Sequence, residues 1–270
     1  MKPAAFDYVR AEHLDEALDV LGREGSDARI VAGGQSLMAM LNMRLAKPKT
    51  LINIMRLPEL ARIERRAGTV TVGAGVRQAS LLDWPELGRS LRLAAMALPW
   101  TGHAQTRSRG TVCGSIAHAD PSAELPLVLR ALGGKVHLRS ARRRRRVAAK
   151  DFFAGMMATT RTDEELIEAV SFPADQTRCA FREVARRHGD FAIVACAAVA
   201  TGDGVRLAVG GVADMPVARD FPRLEGSALD DALNGFAYEL DARDDVHATA
   251  RYRRDLVRMI GRDLVREVLP

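Results

Sequence analysis

The spacing of hydrophobic residues at the start of the chain changes between that of strands and that of helices. Short apolar runs alternate with segments in which apolar residues recur every three or four positions, as at Leu14, Leu18 and Leu21. This pattern predicts strands at residues 6–9, 28–32 and 50–54 and helices at 13–24 and 35–45. Because each helix connects two strands, the crossovers favour a small parallel sheet.

From residue 56 onward the pattern predicts hairpins and helices. Hairpins are expected at 61–74, around Ala67-Gly68, and at 135–149, and a single strand is expected at 165–172. Helices are expected at 77–83, 85–98 and 122–132. The stretch 109–121 predicts a polar turn that runs into the last of these helices.

The C-terminal part predicts three antiparallel strands followed by two helices. The strands are expected at 179–187, 190–200 and 205–212, and the helices at 227–240 and 248–268. A boundary near 173–177 divides the chain into residues 1–175, with subdomains of about 1–55 and 56–175, and residues 176–270. The predicted fold class is α+β.

Composition places the chain among soluble globular proteins, with 270 residues, 47% hydrophobic and 27% charged. No apolar run reaches the ~18 residues of a membrane span, and the N-terminal segment lacks the apolar core of a signal peptide. The expected location is therefore the cytoplasm, with no membrane span. Three cysteines without a CxxC spacing indicate neither a metal site nor a disulfide framework in this chain.

Much of the formal net charge of +6 comes from one basic run, Arg142 to Arg146. Such a run can mark nucleic-acid binding, but this one lies inside the second predicted hairpin and no nucleic-acid-binding module accompanies it. A solvated hairpin tip is therefore the favoured interpretation, and no nucleic-acid partner is expected.

Two small-residue stretches are the candidate ligand-binding segments, Ala32-Gly33-Gly34-Gln35-Ser36 and Gly110-Thr111-Val112-Cys113-Gly114-Ser115. Glycines that lead from a strand into a helix expose backbone N–H groups that suit a phosphate. The alternative for the first stretch is a plain turn that needs glycine for its backbone angles. The P-loop and Rossmann fingerprints are both missing from the sequence. Two donor-rich loops suit a ligand with two phosphates lying in a cleft.

Three polar side chains follow the second stretch. Asp120 and Glu124 are suited to accept hydrogen bonds from sugar hydroxyls. For Glu124 the alternative is a charge that complements the start of a helix. His118 is suited to act as a general base or, at least as well, to be a hydrogen-bonded structural histidine.

Together with Arg186-Arg187-His188-Gly189-Asp190-Phe191-Ala192, these segments carry a resemblance that covers essentially the whole chain. They resemble the motifs of the FAD-binding medium subunit of molybdenum hydroxylases, the carbon monoxide dehydrogenase and xanthine dehydrogenase superfamily. The resemblance implies a PCMH-type FAD-binding domain of two α/β subdomains, followed by a C-terminal domain with a three-stranded antiparallel sheet and helices. FAD is the implied cofactor of this chain, and [2Fe-2S] clusters and a molybdenum cofactor are implied for partner subunits.

The resemblance also implies a set of FAD-contacting residues, whereas no metal-ligating residue is implied. The two glycine-rich stretches match the segments that hold the pyrophosphate, and three downstream side chains match positions around the ribityl and ribose groups. The implied set is Val31, Ala32, Gly33, Gly34, Gln35, Ser36, Leu37, Thr101, Gly102, Gly110, Thr111, Cys113, Gly114, Ser115, His118, Asp120, Glu124, Ile167, Arg182 and Phe191.

Four members of this set carry particular expectations. Ile167 matches an apolar contact to the ring system, and Arg182 falls near a basic position where a cation would stabilise reduced, anionic flavin. Phe191 matches an aromatic residue beside the isoalloxazine, with core packing as the alternative. Cys113 stands where the family usually has glycine, which implies either a looser contact or a thiol close to the cofactor.

The implied role is that of an FAD-carrying electron-transfer subunit. It would accept electrons from a small iron–sulfur subunit, while a large molybdenum subunit oxidises the substrate, and pass them to an external acceptor. The implied assembly is a dimer of heterotrimers, and no catalytic side chain is expected here because the flavin carries the chemistry. Two alternatives stay open: a free-standing FAD-dependent oxidoreductase of the same fold with its own substrate, and a non-enzymatic interaction protein with an empty site.

Overall fold

The computed structural model describes residues 2–269, so the predicted domain ends at Met1 and Pro270 lie outside the described residues. The first lobe contains β1 (Asp7–Arg10), α1 (Leu14–Glu24), β2 (Ala28–Val31), α2 (Leu37–Asn42) and β3 (Thr50–Asn53). Its three strands form a parallel sheet in the order β1-β3-β2, which confirms the predicted crossover arrangement. Helix α2 ends before the predicted residue 45, and Arg44 just beyond it has a positive φ of 57° that a helix cannot continue.

The second lobe is built on a five-stranded antiparallel sheet. Its elements are β4 (Ile63–Arg66), β5 (Thr69–Gly73), α3 (Gln78–Leu82), α4 (Leu87–Ser90), α5 (Arg92–Ala97), α6 (Ala104–Arg107), α7 (Val112–His118), α8 (Glu124–Ala131), β6 (Lys135–Arg139), β7 (Arg144–Ala148), α9 (Ala149–Phe152), β8 (Phe153–Gly155), β9 (Ala158–Thr159) and β10 (Leu166–Pro173). The sheet order β4-β5-β10-β6-β7 places the late strand β10 between the two predicted hairpins. Strands β8 and β9 form a separate small hairpin.

One helix prediction and one turn prediction for this lobe are wrong. The helix expected at 85–98 is divided into α4 and α5, because Leu91 leaves helical geometry with φ −134° and ψ 60° while its side chain is fully buried. The turn expected at 109–121 contains the helix α7, whose N-cap Thr111 accepts a hydrogen bond from the Gly114 N–H at 3.0 Å. Its glycine, serine and β-branched residues have weak helix propensity, so the pattern gives little sign of it.

The basic run is also placed differently from its prediction as a hairpin tip. The turn occupies residues 140–143, whereas Arg144, Arg145 and Arg146 lie within the edge strand β7. Arg145 donates two hydrogen bonds of 2.7 Å to the carboxylate of Glu165, so part of this charge is neutralised locally. Charged side chains on an edge strand also discourage pairing with another chain.

The C-terminal part contains β11 (Cys179–Val184), β12 (Val194–Thr201), β13 (Gly204–Gly210), β14 (Val217–Phe221), α10 (Gly226–Glu239) and α11 (Ala250–Val268). Its antiparallel sheet has four strands in the order β11-β12-β13-β14, where the sequence predicts three. The fourth strand is short and carries Arg219 and Asp220, so it lacks the apolar signal of the others; Asp220 pairs with Arg206 of β13 at 2.7 Å. No helix within residues 2–269 is both long and apolar enough to cross a membrane.

The two faces of this sheet pack against different partners. Cys179 and Ala197 belong to the large hydrophobic core that continues through the second lobe, where α5 and α8 contact the sheet. Ala180 and Cys196 belong to the core under α10 and α11. Successive residues of a strand point to opposite faces, so the register of β11 decides which side chains reach the first domain.

Candidate functional site

A cleft of about 980 Å³ lies between the two N-terminal lobes and the C-terminal domain. The turn after β2, the first residues of α7, the start of β10 and the C-terminal loops near Phe191 and Val212 form its walls. All of the sequence-predicted site residues line this cleft except Val31 and Arg182. The volume lies at the upper end of the range for small-molecule sites, which suits a large ligand.

The two glycine-rich stretches meet at the cleft. A Cβ added to Gly33 would lie 2.1 Å from the carbonyl oxygen of Arg109 and 2.7 Å from the Cα of Gly110. Only glycine fits this contact, and Gly34 beside it has a φ of 71°, which favours glycine for a second reason. Two segments far apart in sequence therefore form one continuous wall.

The second stretch exposes fewer backbone donors than its composition indicates. The N–H of Val112 donates to the Val76 carbonyl at 3.1 Å, and the N–H of Ser115 donates to the Thr111 carbonyl at 3.2 Å. The Gly114 N–H is already taken by the Thr111 hydroxyl. Close packing of small residues is therefore the main feature of this wall, together with the hydroxyl of Ser115.

A loop of the C-terminal domain closes one side of the cleft. Gly189 has a φ of 85°, and a Cβ there would lie 2.7 Å from the ring of His103 and 2.8 Å from the carbonyl oxygen of Gly102. The ring centroids of His188 and Trp100 are 5.0 Å apart. Phe191 in this loop lines the cleft and is 71% exposed, so the core-packing alternative for this side chain is wrong.

The acidic side chains lie where α7 leads into α8. Asp120 accepts a hydrogen bond from the Ser122 N–H at 2.8 Å, and Glu124 is the first residue of α8. The pKa of Glu124 is raised to about 7, chiefly by burial and in smaller part by the charge of Asp120, while its own backbone N–H, the Thr101 hydroxyl and Arg107 act to lower it. His118, the last residue of α7, is half-buried at the cleft.

The thiol of Cys113 is directed into the protein core. Its Sγ lies 3.5 Å from the carbonyl oxygen of Val72 in β5, and burial raises the pKa of the thiol far above its usual range. Cys113 lines the cleft, but its thiol is a neutral group that packs between α7 and the sheet. Ile167 is buried and lies beside an irregularity in the pairing of β10 with β6.

Two predicted site residues lie elsewhere. Val31 is buried with Leu41 and Leu51 in the small core of the first lobe. Arg182 is half-exposed on the face of β11 that is turned toward α11, where it donates a 2.8 Å hydrogen bond to Glu267. The strand register is the reason, because Glu183 and not Arg182 points toward the first domain.

The cleft is also lined by polar residues that the sequence interpretation does not name as site residues, and Gln78 is one of them. Gln78, the first residue of α3, is buried, and its backbone N–H donates to the Gly110 carbonyl at 2.8 Å. Its side-chain Oε1 and the hydroxyl of Thr101 have no hydrogen-bond partner among the described residues, although both residues line the cleft. Buried polar atoms without partners indicate a site for a polar ligand. The only hint in the sequence is that Gln78 stands in the third-glycine position of an incomplete Gly73-Ala74-Gly75 motif.

Comparison with known families identifies the chain. Residues 4–175 match the family described as the FAD binding domain in molybdopterin dehydrogenase. The chain belongs to this family. Residues 179–268 match the CO dehydrogenase flavoprotein C-terminal domain. The chain is thus an oxidoreductase subunit with an FAD-binding domain, and the resemblance, the fold class and the FAD cofactor predicted from the sequence are confirmed.

Three relatives illustrate the similarity. The chain is 35% identical to the 6-hydroxypseudooxynicotine dehydrogenase complex subunit alpha of Paenarthrobacter nicotinovorans, over 98% of this chain and 95% of the relative. It is 33% identical to the glyceraldehyde dehydrogenase medium chain of Sulfolobus acidocaldarius, over 99% of this chain and 100% of the relative. A solved structure of carbon monoxide dehydrogenase from Hydrogenophaga pseudoflava superposes with a TM-score of 0.91 at 29% identity, covering 99% of this chain and 98% of that chain.

Proposed function

We propose that this chain is the FAD-carrying electron-transfer subunit of a molybdenum hydroxylase complex. It accepts electrons from a [2Fe-2S] subunit and passes them to an external acceptor. The observation that carries the proposal is the cleft itself, where glycine contacts form one wall and the polar atoms of Gln78 and Thr101 are left without partners. These features fit a cofactor with phosphate, hydroxyl and amide groups.

The residues that would hold FAD follow from the lining of the cleft. The glycine contact between Gly33 and Gly110 permits a close approach to the diphosphate. Asp120 and Glu124 are placed for sugar-type hydroxyls, and Ile167 and Phe191 offer apolar contact to a ring. The proposed contact set is Ala32, Gly33, Gly34, Gln35, Ser36, Leu37, Gln78, Thr101, Gly102, Gly110, Thr111, Cys113, Gly114, Ser115, His118, Asp120, Glu124, Ile167 and Phe191.

Bound FAD supplies the ability to take up and release electrons in single steps. The chain's own residues bind and orient the cofactor and exclude water from it. The packing of Gly189 on Gly102 and His103 holds the C-terminal domain against the wall of the cleft. The capped start of α7 keeps Thr111 and Gly114 rigid beside it. No side chain of this chain is assigned a catalytic role.

The proposed partners are a small iron–sulfur subunit and a large molybdenum-cofactor subunit, assembled as a dimer of heterotrimers. Relatives named as a complex subunit and as a medium chain support the presence of partner subunits. Residues 1–175 and 176–270 are the proposed domains, supported by the ranges of the two family matches. Location in the cytoplasm stays a prediction.

The test is purification of the chain expressed with its neighbouring genes. We expect a flavin spectrum, with iron–sulfur and molybdenum-containing polypeptides retained in the same complex. A flavin-containing chain that binds neither partner and reduces its flavin with its own substrate would support the free-standing oxidoreductase instead. A stable chain that binds no flavin would overturn both and leave the interaction protein.

A further inference from the structure

Glu183 is a buried acid without a partner. It lies on β11, and the register of that strand turns it toward the FAD-binding domain, on the face that also carries Cys179. The residue is 8% exposed, and neither carboxylate oxygen has a hydrogen-bond partner among the described residues. An ionised carboxylate that is buried without hydrogen-bond partners loses its hydration, and no protein contact replaces it.

A second buried acid lies close enough to act on it. Glu124, which is 5% exposed and lines the cleft, raises the pKa of Glu183 through its charge. Asp120 adds further negative charge next to Glu124, and Arg107 is the cation that acts on this carboxyl. The Thr101 hydroxyl lies beside the Glu124 carboxyl and lowers its pKa, but without the geometry of a hydrogen bond.

Arg107 keeps its charge, but its guanidinium is hydrogen-bonded to the backbone and not to either carboxylate. Its Nη1 donates to three backbone carbonyl oxygens, those of Pro99, Thr101 and Gly102, at 3.4, 3.0 and 2.9 Å. Arg107 therefore stabilises the loop of the cleft, and Glu183 has no cation acting on it. Within residues 2–269 the acids also lack the further ligands that a metal ion needs.

Two carboxylates that are buried close together cannot both be charged at low cost, and Arg107 offsets only part of that cost at Glu124. Burial is the main cause that raises the pKa of Glu183 to about 8 and that of Glu124 to about 7. Such a pair titrates as a unit in the neutral to mildly alkaline range. Of the two acids, Glu124 lines the proposed cofactor cleft.

We propose that Glu124 and Glu183 act as one proton-holding carboxyl pair, and that its proton is required for tight binding of a diphosphate dinucleotide in the cleft. The proposal rests on the proposed function, since FAD is the ligand. With the proton, the pair carries less negative charge next to an anionic ligand. At a pH above the titration range of the pair, both carboxyls of the free chain are ionised. FAD binding then takes up one proton from the solvent, and the product is a complex in which the pair carries one proton.

The experiment measures FAD binding to the full-length chain after removal of its flavin. The dissociation constant is followed by quenching of flavin fluorescence between pH 6 and pH 9, and proton uptake is measured by titration calorimetry in two buffers with different heats of ionisation. One linked proton gives a dissociation constant that rises about tenfold per pH unit above the range of the pair and is flat below it.

The variant Glu183→Gln keeps the shape of the side chain and removes its charge. We expect it to bind FAD about tenfold more tightly than the wild type at pH 9, with a flatter pH profile and no proton uptake. The matched control is Glu267→Gln on the opposite side of the same domain, where an exposed carboxylate pairs with Arg182. This control should keep the wild-type slope.

The outcomes separate the two proposals. A wild-type profile that is flat over the whole range, or a Glu183→Gln profile with the wild-type slope, overturns the carboxyl pair and leaves FAD binding intact. Loss of FAD binding in folded Glu183→Gln at every pH also overturns it. A wild-type chain that binds FAD at no pH refutes the proposed function itself.

Discussion

Substitution of Gly33 by alanine tests the contact on which the cleft depends. The added Cβ would lie 2.1 Å from the Arg109 carbonyl oxygen, whereas real Cβ atoms essentially never approach a heavy atom within 3.0 Å. The obstacle is backbone and not a flexible side chain, so the stretch at Gly110 has to move away by about 1 Å. Gly33 has no positive φ, so the cost comes from this contact and not from its own backbone angles.

Strain of this kind in a packed region costs about 1–3 kcal/mol, which is less than the whole stability of a typical domain. We therefore expect Gly33→Ala to fold with a lower urea midpoint. The two stretches would be separated where FAD is proposed to bind, and loss of about 1.4 kcal/mol of binding free energy weakens affinity tenfold. The expected result is an FAD dissociation constant at least about tenfold higher than that of the wild type.

The matched control is Gly235→Ala in the interior of α10. A Cβ there meets nothing within 4 Å, and its φ is not positive, so alanine should leave stability unchanged or raise it by up to about 1 kcal/mol. Urea unfolding followed by circular dichroism and flavin fluorescence quenching give the two readouts. Wild-type stability together with wild-type FAD affinity in Gly33→Ala would refute the reasoning.

Three further predictions concern single side chains. Glu183→Gln should stabilise the flavin-free chain, and the gain in unfolding free energy should grow by roughly 1–2 kcal/mol between pH 6 and pH 8. The reason is the raised pKa of Glu183, because of which the wild type loses stability as the pH rises toward about 8. Urea unfolding at the two pH values measures the gain, and a gain that does not depend on pH contradicts the burial argument. Arg182→Ala should leave FAD affinity and the flavin reduction potential unchanged and lower the unfolding free energy by at most about 1 kcal/mol, since it removes only the exposed ion pair with Glu267. A shifted potential in spectroelectrochemistry would show that Arg182 acts on the flavin. Cys113 should resist iodoacetamide at pH 8 in the native chain and react after denaturation, since its thiol is buried and neutral; mass spectrometry of the labelled peptide checks this, and rapid native labelling would place the thiol in the open cleft.

Helices and strands can be predicted from the sequence where the apolar residues follow a single helical or strand spacing. The parallel sheet of the first lobe and the long helix α11 follow from such patterns. Helix α7 was missed because its start is fixed by the Thr111 cap rather than by propensity. Strand β14 was missed because Arg219 and Asp220 find their partners on neighbouring elements, and a sequence pattern does not show partners.

The sequence shows which residues are candidates for the site better than it shows where their side chains point and what they contact. The glycine stretches could be found from composition, but their mutual contact through Gly33 and Arg109 is long-range and becomes visible only in the fold. The same holds for Gln78, whose unpartnered Oε1 is identified by what surrounds it. Cys113 can be singled out from the sequence, but only the packing of α7 on β5 shows that its thiol is turned to the core.

The register of β11 has the largest chemical consequence for the site. A shift of one residue exchanges the neighbours of Arg182 and Glu183, since adjacent side chains of a strand lie on opposite faces. With Arg182 inward, the interface would offer a cation to anionic flavin; with Glu183 inward, it holds two acids and a proton. Arg107, the cation that acts on Glu124, is already bound to three backbone carbonyls and is thus fixed in place. Its charge offsets only part of the negative charge, since the pKa of Glu124 still rises to about 7. In the proposed carboxyl pair protonation supplies the rest, and cofactor affinity becomes a function of pH.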